Sequence, residues 1–365
     1  MFGQRLKLAR KRAGLSLRGL SEALDGRVSP QAIGKYERDE MMPSSRVLAE
    51  LVRVLDTSAD FLMSSEVQEL EGVEFRKKAR TTQRERNQVE AKVIETVERY
   101  LAVEEILGLD SAAWHQPDCK GQHVSSLEDA DALALNVRKE WKLGIDPIPN
   151  MTELLERHGI KVLVLDLPEN VSGLRCDIRR SSSNETVPVI VVNKTLTLER
   201  RRLTLGHELG HLVMDAASPC DHEKASQRFA GALLICEEHL KEEIGSSRNR
   251  VSYEEIIRLK RRYRVSAAAF VVRLRDIRVL EQHRMTEIFK TFGRTWRKKE
   301  PVPLEEKESE QGELEAPTRF RRLCLRALSE DLIGVTRACE LLSFSREELA
   351  AHLTGPEAGR AGRRQ

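Results

Sequence analysis

The sequence predicts a mainly helical, multidomain protein: five short helices first, then a central α+β body with a small sheet, then a helical C-terminal segment. Three observations predict it. Serines and prolines punctuate the first 65 residues into short amphipathic turns. Three strand-like runs cluster between residues 160 and 192, the first of them alternating into a β-branched stretch. An apolar run then carries His207-Glu208-Leu209-Gly210-His211 at helical spacing. At 365 residues the chain is long enough for two or three domains, each with its own core.

Composition narrows the class. Charged residues make up 33% and aromatics only 4%, as suits a helix-rich chain with much solvated surface. No apolar run approaches the roughly twenty residues a membrane span needs, so no membrane partner is expected. Six cysteines are scattered without a Cys-x-x-Cys pair, and the N-terminus lacks a signal-peptide core. Both features suggest a reduced, cytoplasmic setting. The net charge of +3 is unevenly spread: Arg5, Lys7, Arg10, Lys11, Arg12 and Arg18 all precede the first acid, Glu22. Such a segment can steer toward a polyanion, or can simply be a solvated helix face.

Phe2 to Ala13 reads as a helix with Phe2, Leu6 and Ala9 in register, ended by Gly14. Ser16 caps a second helix, Leu17 to Leu24, and Asp25-Gly26 forms a turn. Ser29-Pro30 places a cap and a first-turn proline ahead of a third helix reaching Arg38. A fourth runs from Pro43-Ser44-Ser45 to Leu55, and a fifth begins at Thr57 or Ser58 and ends near Met63. A tight turn between the second and third makes residues 1–65 a helix-turn-helix domain. Leu15-Ser16-Leu17 and Ser29-Pro30-Gln31-Ala32-Ile33-Gly34-Lys35-Tyr36-Glu37-Arg38 resemble the Xre, or Cro/C1-type, DNA-binding family. The resemblance implies a double-stranded DNA operator as partner. It sets Gln31 and Lys35 toward base edges, with Ser29 and Gly34 close to the groove. Gln31 suits adenine, and Lys35 suits guanine or a phosphate. Arg10 and Arg18 are phosphate candidates, while Ile33 and Tyr36 pack inward. The oligomeric state stays open, although operators read by such domains favour a homodimer.

Residues 66–125 form a densely charged stretch, read as one or two linking helices with Val93, Ile94, Val97 and Leu101 as a stripe. A dimer contact and an intramolecular pack both fit it. The body, 126–295, opens with a helix from Leu127 to Leu143 and another from the cap Asn150 to His158. Strands follow at Ile160–Leu165, Gly173–Arg179 and Val187–Val192, with Ser181 to Asn184 as a polar turn. Tyr253 to Tyr263 and Ser266 to Leu280 are amphipathic helices. Residues 296–317 are acidic and Pro-bearing, hence a linker. Residues 318–365 hold three short helices between Phe320 and Leu353, then a polar tail from Gly355.

The body's chemistry lies between its strands and its later helices. A spacing of four puts His207 and His211 on one helix face, where two imidazoles can share a Zn²⁺, with Glu208 offset toward a water. Phe229, Ala230, Leu233 and Leu234 recur at helical spacing, so a second helix can present Glu223 as third ligand. The plainer reading leaves Glu223 on the surface, and Cys220, His222 and Cys236 stand as alternative ligands. Asp215 follows His211 by four, either orienting it or facing solvent.

Arg202 to His211 followed by Glu223 to Ala230, with Val189 to Asn193 as the preceding strand, resembles the ImmA/IrrE family of zinc metallopeptidases. The resemblance implies a zincin-like fold with a gluzincin-like site: His207, His211 and Glu223 as metal ligands, Glu208 as general base, Zn²⁺ as cofactor. It also implies a protein substrate such as a repressor. Arg273 falls in a run that resembles a further family element and suggests a carboxylate contact, either with substrate or within the fold. The whole reads as a transcriptional regulator fused to a zinc endopeptidase. The rival readings are a regulator whose metal site is structural or sensory, and an antitoxin-like partner-binding protein.

Overall fold

Local capping sets the N-terminal architecture. The hydroxyls of Ser16, Ser29 and Ser44 accept hydrogen bonds from the amides of Gly19, Ala32 and Val47, each satisfying an orphan donor of a helix start. In the computed structural model these caps open α2 (Leu17–Ala23), α3 (Pro30–Glu37) and α4 (Ser45–Val54), flanked by α1 (Phe2–Arg12) and α5 (Ala59–Met63). The structure describes all residues except Met1, Ser58, 64–66, 76–81, 110–112, 181–185, Arg297, 305–314 and 355–365. The polar turn expected at 181–184 and the tail from Gly355 thus lie outside the described residues. Asp25 and Gly26 take positive φ in the α2–α3 turn. Phe2, Leu6, Leu20, Ile33, Tyr36, Leu51 and Leu62 close one small core, with Ile33 and Tyr36 inward as expected.

The charged stretch that follows departs from a purely helical reading. Val67–Phe75 is strand β1, and only then comes a helix, α6 (Gln83–Ile106), opened by a Thr82–Glu85 capping box. The physical reason is a partner in space: β1 runs antiparallel along β3 (Gly173–Arg180), covering an edge that would otherwise stand unpaired. The alternation Val73-Glu74-Phe75 is period two, a strand signal outweighed in the linear reading by the surrounding charge.

Nor is α6 a simple tether. Val89, Val93, Val97 and Leu101 pack under the sheet against Leu163, Leu174, Cys176, Ile178 and Val191. Glu98 and Glu95 form ion pairs with Arg5 and Arg12 of α1. Tyr100 and Val103 enter the core of the C-terminal helices. Of the two arrangements open to this stripe, the structure contains the intramolecular one.

The body carries α7 (Leu127–Glu140), α8 (Met151–Arg157), β2 (Lys161–Leu165), β3, β4 (Thr186–Asn193), α9 (Leu198–Val213) and α10 (His222–Leu234). Then come α11 (Glu237–Ile244), α12 (Tyr253–Tyr263), α13 (Ala267–Asp276) and α14 (Gln282–Lys290). The mixed sheet has order β1-β3-β4-β2, with β2 parallel to β4 and β3 antiparallel to it. Seven buried residues in a row suit β4 to its place as an inner strand beside β3, covered by α6 on one face and the helical core on the other. His158 caps the end of α8 and stacks on Trp141 at 4.0 Å, as a helix-terminal residue and not a ligand.

The acidic segment after α14 is docked at both of its described ends. Glu300 pairs with Lys260, which also meets Glu199 of α9 and donates to the carbonyls of Pro301 and Val302. Glu315 pairs with Arg202 of α9 and accepts from the amides of Met151 and Thr152 at the start of α8. The expected linker therefore grips α9 twice, about one turn apart, through the Leu304 amide on Glu199 and through Glu315 on Arg202. Three short helices follow, α15 (Arg319–Ser329), α16 (Val335–Leu342) and α17 (Arg346–Thr354), as the sequence suggests. Among the described residues no helix is long and apolar enough to cross a membrane.

Candidate metal centre

Leaving β4, the chain turns through 194–197 and enters α9, whose inner face is almost wholly buried. His207 and His211 sit one turn apart on that helix and point at one another, their Nε2 atoms 3.0 Å apart. Asp221 caps α10 by accepting from the Lys224 amide, which places Glu223 in the first turn beside them. Its carboxylate oxygens lie 3.6 Å from each imidazole Nε2.

What brings α10 this close is a strip of small residues interleaved with the motif. A Cβ on Gly206 would stand 3.2 Å from the Ala230 Cβ. On Gly210 it would stand 3.0 Å from a Phe229 ring carbon and 3.2 Å from the Ser226 Cα. The two glycines thus let α9 and α10 approach within reach of a shared ion. Gly210→Ala is expected to gain helix propensity of about 1 kcal/mol yet weaken metal binding by about tenfold, because α10 must move away. Chelator competition measures it, and an affinity equal to wild type would remove this role for the strip.

The donor set fits a divalent ion. Two nitrogens held about 2.0–2.1 Å from a tetrahedral zinc stand about 3.3 Å apart, close to the observed separations. Two imidazoles and one carboxylate leave a fourth position, the pattern of a catalytic site and not of a closed structural one. Among the described residues, His207, His211 and Glu223 are the group of three donors able to hold a metal. The His207 side chain is 2% exposed and that of Glu223 is 58% exposed, so the site is closed from the core and open toward a cleft. That cleft, of about 1430 Å³, is lined by Glu208, Leu203, Met214, Phe289 and Trp296 beside the donors.

The alternative ligands do not converge here. The His222 Nε2 lies 3.0 Å from the Ser218 carbonyl, and Cys236 caps α11 in a buried position. Cys220 packs against the body core. Asp215 does not orient His211; it lies 3.2 Å from the Nδ1 of His123. Arg273 does meet a carboxylate, that of Asp131, at 2.6 Å, and donates to the Ile235 carbonyl. Arg228 joins the same Asp131 and also Asp276, so a partly buried ion lattice ties α7, α10 and α13 along one wall of the cleft. Sequence reasoning found neither Arg228 nor Asp131, whose separation of 97 residues leaves no local signal.

In the N-terminal domain, Gln31 and Lys35 are exposed on α3 and Arg18 is exposed on α2. Ser29 is exposed, its hydroxyl engaged as the α3 cap. Gly34 is buried where α3 meets Leu17 and Arg38. Arg10 is drawn into the domain, its guanidinium bidentate on Glu37 and donating to the Leu15 carbonyl.

Comparison with known families finds two matches within the chain. Residues 6–62 match a helix-turn-helix family model, and residues 155–275 match the model of the IrrE N-terminal-like domain, a peptidase family. No curated protein matches the chain.

Proposed function

We propose that this chain, a helix-turn-helix domain joined to an IrrE-like domain, is a transcriptional regulator that binds operator DNA and cleaves a regulatory protein. The observation that carries the proteolytic part is the convergence of two imidazoles and one carboxylate at the edge of an open cleft, with Glu208 alongside. A divalent ion held by His207, His211 and Glu223, zinc by the nature of the donors, would supply Lewis acidity toward a peptide carbonyl and a water. Glu208, beside the donors, would be the group that accepts a proton from an attacking water and passes it to the leaving amine. The apolar walls of the cleft, Leu203, Met214, Phe289 and Trp296, hold the polypeptide and exclude bulk solvent. A repressor is the proposed substrate, in keeping with a protease-like domain fused to a DNA reader.

On the DNA side, Gln31 at the start of α3 and Lys35 in its last turn are exposed and are the proposed base contacts, with Arg18 on phosphate. Arg10, engaged by Glu37, acts by fixing α1 against α3 and contributes only indirectly.

Glu208→Gln is the test. The variant is expected to bind zinc and operator as wild type does while losing regulation of its target by 10²-fold or more. Regulation that survives the substitution assigns the metal a structural or sensory part. Survival of a stable partner complex through both Glu208→Gln and Gln31→Ala, with regulation intact, favours a partner-binding protein.

A further inference from the structure

We infer that Arg175, on the middle strand β3, is a positioning residue for the metal centre: it holds the backbone of His211 so that this imidazole stays aimed at the ion. The inference rests on the metal reading above and reaches beyond the motif, since Arg175 lies 36 residues away from His211 in the chain.

Helix α9 ends at Val213, so the carbonyls of its last turn need donors from elsewhere. Gly210 receives the Met214 amide and Val213 receives the Gly121 amide, both ordinary backbone closures. His211 is different. Its carbonyl accepts from the Arg175 Nη1 at 2.8 Å, a charge-assisted bond to the main chain of a proposed ligand. The cation also stands at the negative end of the helix dipole, where it is favoured.

The placement of Arg175 is rigid. On β3 it stands opposite Ile190 of β4, the same strand that launches α9 after a four-residue connection. Arginine and metal helix are thus fixed to one sheet, and a guanidinium clamped between them locks the rotation of the last turn of α9. That turn carries only one of the three donors, and His211 is the more exposed of the two imidazoles. Arg175 also lines the cleft with His207, Glu208, His211 and Glu223, so its charge borders the site itself. Packing on the core holds His207 in place; His211 depends on the arginine.

The bond goes to a single carbonyl and does not use the guanidinium fork, so a lysine of similar reach can replace it. The experiment compares wild type, Arg175→Met and Arg175→Lys as full chains loaded with Co²⁺, which reports ligand geometry through its visible absorption. Zn²⁺ affinity is read by chelator competition on the same proteins. Arg175→Met is expected to lose 10–100-fold in affinity and to shift the Co²⁺ spectrum, with thermal unfolding of the N-terminal domain and helical content unchanged. Arg175→Lys is expected to restore both. Wild-type spectrum and affinity in Arg175→Met overturn the inference, as does equal loss in the Met and Lys variants. A wild-type chain that takes up neither Co²⁺ nor Zn²⁺ overturns the metal reading itself and this inference with it.

Discussion

Glu315→Gln is expected to destabilise the metal domain by about 3–5 kcal/mol, the usual cost of leaving one partner of a buried ion pair uncompensated. Both side chains are 0% exposed. Burial already draws the Arg202 guanidinium below its ordinary pKa, and the Glu315 carboxylate opposes that shift. Without that charge, Arg202 keeps only neutral acceptors such as the Ile148 carbonyl, and the amides of Met151 and Thr152 at the start of α8 lose their anionic acceptor. Denaturant unfolding measures the loss, and a change under 1 kcal/mol would contradict the clamp. The double variant Arg202→Met, Glu315→Leu should recover much of the stability, since apolar replacement of both partners removes the desolvation penalty. The family match ends at residue 275, so this clamp is a support contributed by the chain beyond it.

A comparable loss is expected at the other end of the molecule. Glu98→Gln leaves Arg5 of α1 facing α6 without its carboxylate, in a pair whose side chains are 5% and 7% exposed. Arg5 also lies over the Phe61 ring, at 5.3 Å, so the guanidinium bridges α1, α5 and α6. The expected cost is again about 3–5 kcal/mol, but it falls on the seat between the DNA-binding domain and the body, not within either core. Calorimetry should therefore show the N-terminal domain melting ahead of the rest. One joint transition at the wild-type temperature would mean that Arg12 and its bonds to Glu95, Leu55 and Asp56 suffice to hold the domain.

These two pairs show why part of the molecule was hidden in its sequence. The five N-terminal helices were legible because Ser16, Ser29 and Ser44 cap their own neighbours, a signal three residues long. The donors His207 and His211 were legible for the same reason, and Glu223 because its helix carried its own apolar period. Gly206 and Gly210 lay inside the motif in plain view, but their purpose needs the Ala230 and Ser226 surfaces that face them. Glu315 and Arg202 are 113 residues apart, and in a linear reading a run of glutamates is solvated chain. Only when α9 and α8 meet does a buried arginine call for that one carboxylate. Strand β1 was missed on similar grounds, because its reason to be extended is the edge of β3. Arg175 gives no sign at all, since nothing local distinguishes it from an outward-facing strand residue.

The central claim is that His207, His211 and Glu223 hold one divalent ion. Elemental analysis of the purified 365-residue chain tests it most directly, with His207→Ala prepared in parallel. The account predicts about one zinc per chain in wild type and a loss of that metal in the variant, with both proteins folded. A wild-type chain free of divalent metal after zinc loading, or a variant that keeps its full complement, would contradict it.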